Sequence, residues 1–157
     1  MKKEGCVIGI DPGLNGGIAV LSSTGEVIDV TKMPPTMFDI YSYLEEYSSV
    51  NAVCYMERVG LGMPGQSSKA TATFSRHCGH LEMALLSLKI PTFEVTPQKW
   101  MKSYQLSNNK GCSKTEWKNI LKSKAQQLFP SLGKSITLAT SDALLIAGYG
   151  RKQEVGK

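Results

Sequence analysis

Three carboxylates in this chain of 157 residues share one setting: each stands at the border of an apolar run. Asp11 follows Val7-Ile8-Gly9-Ile10, Glu57 follows Ala52-Val53-Cys54-Tyr55-Met56, and Asp142 precedes Ala143-Leu144-Leu145-Ile146-Ala147. An acid at the rim of a hydrophobic element is costly unless a cation or hydrogen-bond donors face it. Taken singly, two of them have local explanations. Asp11-Pro12-Gly13 is a turn sequence, and an acid in the first turn of a helix, where Asp142 is expected, complements the helix dipole. Brought together, three carboxylates repel and raise at least one pKa unless divalent cations neutralise them. Oxygen-only ligands suit Mg²⁺ or Mn²⁺. Two such ions about 4 Å apart can activate a water and stabilise the leaving oxygen of a phosphodiester.

The elements that must position these acids are legible from pattern. Val7, Ile8 and Ile10 read as a strand buried on both faces, in which Gly9 lets another backbone or a ligand come close. The glycine turn through Gly13, Gly16 and Gly17 leads to a second strand, and Ser22-Ser23-Thr24-Gly25 turns into a third over 26–30. Thr36 can cap a helix whose apolar stripe is Met37, Ile40, Tyr41, Leu44 and Tyr47. The strand over 51–56 then completes a crossover unit and runs parallel to the first. That pairing carries Asp11 and Glu57 to the same edge of the sheet, where open α/β sheets place their sites.

A loop over 60–69, rich in glycine and serine, precedes a helix expected over 70–89. Phe74, Cys78, Leu81, Leu85 and Leu88 form one seam, and Met83, Ala84 and Leu86 spread apolar character around the other side. A helix apolar on more than one face is buried twice, by its own core and by a partner, or sits in one thick core. Gly79 costs such a helix about 1 kcal/mol relative to Ala, which a close partner backbone would explain. His77 and His80 point apart around the helix and read as surface or interface residues rather than a metal site. A short strand over 91–95, a helical turn at Pro97-Gln98-Lys99-Trp100 and a helix opened by the capping-box spacing Ser113-Lys114-Thr115-Glu116 follow. The last helix is expected over 139–149, with a frayed tail over 151–157.

The net charge of +5 favours an anionic partner. Its distribution is more telling. Between 97 and 124 stand Lys99, Lys102, Lys110, Lys114, Lys118, Lys122 and Lys124 against a single acid, Glu116. Trp100, Tyr104 and Trp117 are interleaved with them. Such a segment is either a solvated helix face over core tryptophans or a nucleic-acid backbone contact. No apolar run approaches the roughly 20 residues of a membrane span. The start leads straight into a strand rather than a signal peptide's apolar helix, so an intracellular protein is expected: cytoplasmic in a bacterial or phage-infected cell, or inside an organelle. Cys6, Cys54, Cys78 and Cys112 are scattered and read as reduced thiols.

Taken in order, Gly9-Ile10-Asp11-Pro12-Gly13 with its Gly16-Gly17-Ile18-Ala19 return strand, Glu57-Arg58, Thr96-Pro97-Gln98-x-Trp100, and Asp142-Ala143-Leu144-Leu145-Ile146-Ala147 resemble the RuvC-type Holliday junction resolvases. The Gly-Met-Pro-Gly-Gln segment over 62–66 is most similar to the compact phage and organellar members. This resemblance extends over almost the whole chain. It implies one RNase H-like α/β domain over 1–157: a mixed five-stranded sheet, three antiparallel strands first and then parallel strands, flanked by helices. It also implies a Mg²⁺-dependent homodimer, with Mn²⁺ able to substitute, that cuts four-way DNA junctions by paired incisions.

By the same resemblance Asp11, Glu57 and Asp142 are metal ligands for two ions per site, Asp11 bridging both. Lys99, Lys102, Lys110, Lys114 and Lys118 contact phosphates, and the loop carrying Ser67, Ser68 and Lys69 approaches the junction centre. The twofold axis lies near Phe74, Cys78, Gly79 and Met83. One departure stands out. Members of the family usually carry a fourth acid or a histidine three to five residues before the position of Asp142, and here those places hold Ala139, Leu138 and Thr137. That departure leaves room for a junction-binding protein without catalysis. A strand-Asp-x-Gly-x-x-Gly-strand also opens the actin-like and sugar-kinase ATPase fold, but about 157 residues are few for its two lobes.

Overall fold

This computed structural model describes residues 5–60, 64–107 and 111–156. Expectations about Lys110 and about positions 61–63 of the glycine-rich loop lie outside the described residues. Strands β1 (Cys6–Asp11), β2 (Gly17–Ser22), β3 (Val27–Lys32), β4 (Ala52–Glu57) and β5 (Thr92–Val95) form one sheet in the order β3-β2-β1-β4-β5. The first three are antiparallel neighbours, β4 runs parallel to β1, and β5 runs parallel to β4. This is the mixed sheet expected from the sequence.

Side chains alternate between the two faces of a strand, and each face has its own core. Cys6, Ile8 and Ile10 of β1 and Ala52, Cys54 and Met56 of β4 join one cluster, under α1 (Met37–Glu45) and α2 (Ser68–Ser87). Val7 and Tyr55 point the other way. They pack with Trp100 of α3 (Pro97–Ser103), with Trp117, Leu121 and Ala125 of α4 (Lys114–Leu128), and with α5 (Leu138–Val155). Both tryptophans are buried. The aromatic residues interleaved with the lysines are therefore core, as the solvated-face reading of that segment required.

Helix starts follow their caps. Thr36 Oγ1 accepts from Asp39 N at 3.1 Å, and both arms of the Ser113–Glu116 capping box form. Ser67 Oγ accepts from Ala70 N at 3.1 Å. That cap starts α2 two residues before the expected position 70. Helix α5 departs most from expectation. Instead of fraying over 151–157 it continues to Val155, because its last turns are anchored: Arg151 Nε donates to the Ser23 carbonyl at 3.0 Å, Tyr55 Oη donates to Glu154 Oε1 at 2.7 Å, and Lys152 Nζ lies 4.1 Å from the Tyr104 ring centre.

The four residues read as a dimer face separate into two pairs. Among the described residues nothing lies within 4 Å of where a Cβ on Gly79 would stand, and Met83 is 60 % exposed, so both face outward. Phe74 and Cys78 are partly buried and line a cleft at the sheet edge, which Gly79 borders as well. The four cysteines are free thiols. No helix among the described residues is long and apolar enough to cross a membrane.

Candidate active site

Strand parity decides where the first two acids go. Asp11 is in step with Val7 and Gly9, and Glu57 with Val53 and Tyr55, so both turn toward the α5 face. The parallel register pairs Ile10 with Met56, which makes Asp11 and Glu57 neighbours where the two strands end. Helix α5 crosses this face in direct contact with β1. A Cβ added to Gly9 would overlap the backbone of Ala143 and Ala147, so glycine is what lets the helix come this close. Asp142, one residue before Ala143, is thereby delivered beside the other two. It is the fifth residue of α5, and that helix has no acid in its first turn. The helix-dipole explanation of Asp142 does not apply.

The three carboxylates share one electrostatic environment. Asp11 is held well above the ordinary aspartate range, first by burial and then by the charges of Asp142 and Glu57, against the opposing pull of Lys118. Burial pushes Glu57 up to about 6; the Trp100 indole and Lys118 hold it down, and Asp142 raises it. Trp100 Nε1 donates to Glu57 Oε2 at 2.6 Å, and Lys118 Nζ to Asp142 Oδ2 at 2.6 Å. Burial alone would lower the pKa of Lys118, but its bond to Asp142 and the fields of Asp142, Asp11 and Glu57 more than offset that and raise it.

A cleft of about 700 Å³ opens beside this edge. Asp11 and the glycine turn form one side, and Phe74, His77, Lys69, Lys114 and Lys118 are also in its lining. Sequence placed His77 at a surface or interface. It is instead buried, its Nε2 has no hydrogen-bond partner among the described residues, and burial lowers its pKa. Of the residues read as DNA contacts, Ser67, Lys69, Lys114 and Lys118 reach this cleft. Ser68 is exposed in the first turn of α2 and Lys99 is exposed on α3. Lys102 borders a separate groove with Met101, Leu106 and Trp117. Two contacts escaped sequence reasoning: the indole on Glu57 and the ammonium on Asp142. The four-residue spacing of Lys114 and Lys118 was the only signal for the second.

The donor set fits hard divalent ions in kind, since three mutually repelling carboxylates, Asp142 buried and Asp11 and Glu57 half-buried, require positive charge. Among the described residues, no three such side chains are close enough together to hold a metal ion as they stand. Lys118 provides the positive charge in this arrangement.

A carboxyl whose folded pKa lies above its unfolded value binds its proton more tightly when folded. Its stabilisation is full below the unfolded value and lost as pH rises through the folded one. For Glu57 that window runs from 4.5 to about 6, and Asp11 acts in the same direction. The thermal midpoint of the protein without divalent ions should therefore fall more steeply across this window than that of Glu57→Gln. Parallel pH profiles for the two proteins would show that Glu57 is not held in this way.

The sheet order, the crossing helix and the acids at its edge define an RNase H-like fold. No protein-family model and no curated protein matches the chain in sequence. Among solved structures, T. thermophilus RuvC in complex with Holliday junction substrate aligns with a TM-score of 0.66 at 16 % identity, over 96 % of each chain. A second Thermus thermophilus RuvC structure aligns at 0.56, with the same identity and coverage. The fold is RuvC-like.

Proposed function

We propose that this protein is a structure-selective endonuclease that resolves four-way DNA junctions by divalent-metal-dependent phosphodiester hydrolysis. The observation that carries this reading is the meeting of Asp11, Glu57 and Asp142 on one sheet edge, beside a lysine-lined cleft, in a RuvC-like fold. Asp11, Glu57 and Asp142 would hold two Mg²⁺ ions, or Mn²⁺ in their place, and the ions would supply an activated water and charge stabilisation at the leaving oxygen. Trp100 fixes the carboxylate of Glu57 through its indole N–H, so this ligand is oriented before any ion arrives. Lys69 and Lys114, beside the acids, would hold the DNA backbone. A second copy against Gly79 and Met83 on the outer face of α2 would present two such edges to two strands of like polarity in a junction.

One observation favours a second reading, junction binding without cutting. Positions 137–139 offer no strong fourth ligand, and Lys118 occupies Asp142. Incubation with a synthetic four-way junction in Mn²⁺, beside linear duplex and RNA–DNA hybrid controls, separates the two. Symmetric paired nicks in the junction alone are expected. Binding without nicks would establish the second reading, and equal cutting of linear duplex would overturn the junction selectivity.

A further inference from the structure

The Lys118–Asp142 pair is unequal. Asp142 is fixed in the packed part of α5 and its side chain is 5 % exposed, whereas that of Lys118 is 36 % exposed and lines the open cleft. The aspartate has no room to move. The lysine carries its charge on a flexible four-carbon stem rooted on the outer surface of α4. The Asp142 Oδ2 atom that the ammonium holds at 2.6 Å is an oxygen a divalent ion would need. Among the described residues its other oxygen, Oδ1, accepts only a long hydrogen bond of 3.3 Å from Ser141 Oγ. An ammonium and a divalent ion on this one carboxylate repel each other, so the two compete for it. The chain also lacks an acid at 137–139 that would let an ion bypass that atom.

We propose that Lys118 is a built-in substitute cation: it neutralises Asp142 while no divalent ion is bound, and it swings into the cleft to meet a DNA phosphate when an ion takes the carboxylate. The proposal rests on the metal-site reading of Asp11, Glu57 and Asp142. Metal and DNA then help each other to bind through one side chain. The ion frees the lysine for the phosphate, and the phosphate holds the lysine away from the aspartate. Such a coupling is reciprocal by linkage.

The test measures Mn²⁺ binding by calorimetry to the DNA-free protein and to Lys118→Met and Lys114→Met, which remove the same charge from the same helix face. Only the first frees Asp142. Lys118→Met should bind Mn²⁺ about tenfold more tightly than the parent, within the usual range of such couplings, and Lys114→Met should stay within about threefold of it. Equal tightening in both variants would reduce the effect to net charge and overturn the proposal. Unchanged binding in Lys118→Met would overturn it while leaving the metal site in place. Absence of Mn²⁺ binding in all three proteins would overturn the metal-site reading as well. If loss of the buried partner of Asp142 prevents Lys118→Met from folding, Lys118→Gln, which keeps a donor without the charge, decides by the same comparison.

The second half is read from the salt dependence of junction binding. In Ca²⁺ the parent should show a log–log slope steeper by about one than Lys118→Met, the contribution of one phosphate contact. In EDTA the two slopes should coincide, because the lysine is then held by Asp142. Coincident slopes in Ca²⁺ would overturn the release onto DNA.

Discussion

Asp11→Asn is expected to abolish junction cleavage, by at least about 10²- to 10³-fold, the scale for losing one group that stabilises charge in a transition state. Junction binding in Ca²⁺ should be nearly unchanged, since the lysines that would contact phosphate are untouched. The same substitution should raise the thermal midpoint of the protein without divalent ions at pH 8. Asp11 is buried beside Asp142 and Glu57, which makes its ionised form costly, and the neutral amide removes that cost. At pH 4, where this carboxyl is already protonated, the gain should vanish. Loss of activity together with a gain in stability at high pH is the signature of a residue kept for function. Retained Mg²⁺-dependent cutting by the variant would sink the metal-site reading, and a lowered midpoint at pH 8 would show Asp11 to be structural.

Gly9→Ala is expected to cost at least about 2–3 kcal/mol, the upper end for overpacking a core. The atoms its Cβ would meet belong to the backbone of Ala143 and Ala147, which cannot rotate away as a side chain can. Relief requires α5 to lift off β1, and that motion carries Asp142 away from Asp11. Urea unfolding should show a lower midpoint, and the folded fraction should lose activity as well. Gly79→Ala is the control. Its Cβ meets nothing among the described residues, so at concentrations where the chain is monomeric it should be neutral or gain up to about 1 kcal/mol in helix propensity. A Gly9→Ala protein as stable as the parent would mean that the sheet and helix are not in this close contact.

Much of this was readable before any tertiary structure. The pairing of the first four strands followed from local signals: turns rich in glycine and serine joined the first three, and a helix between two apolar strands forced a parallel crossover. The three acids were readable because each interrupts or borders a run that is otherwise apolar. Gly9 announced a close approach, although only the structure shows that the approaching group is α5. Elsewhere one pattern admitted two meanings. Lysines interleaved with Trp100 and Trp117 suit a nucleic-acid surface and also a charged helix lying on a core. The structure buries both tryptophans and uses one of them to orient Glu57. The end of α5 was missed because its anchors lie far away in the chain. Tyr55 and Glu154 are 99 residues apart, and Ser23 and Arg151 are 128 apart. No local pattern encodes such contacts.

The sequence by itself singled out the three carboxylates, because periodicity and polarity are local properties and a carboxylate at the border of an apolar run is conspicuous at once. Which groups face those residues was decided only by the tertiary structure. Lys118 read as one phosphate contact among five, but the packing of α4 against α5 turns it onto Asp142. His77 read as a surface or interface residue, but the fold of α2 over the sheet edge buries it in the wall of the cleft. The charge balance of the site depends on distances between side chains on different elements, and those distances exist only once both faces of the sheet have been covered.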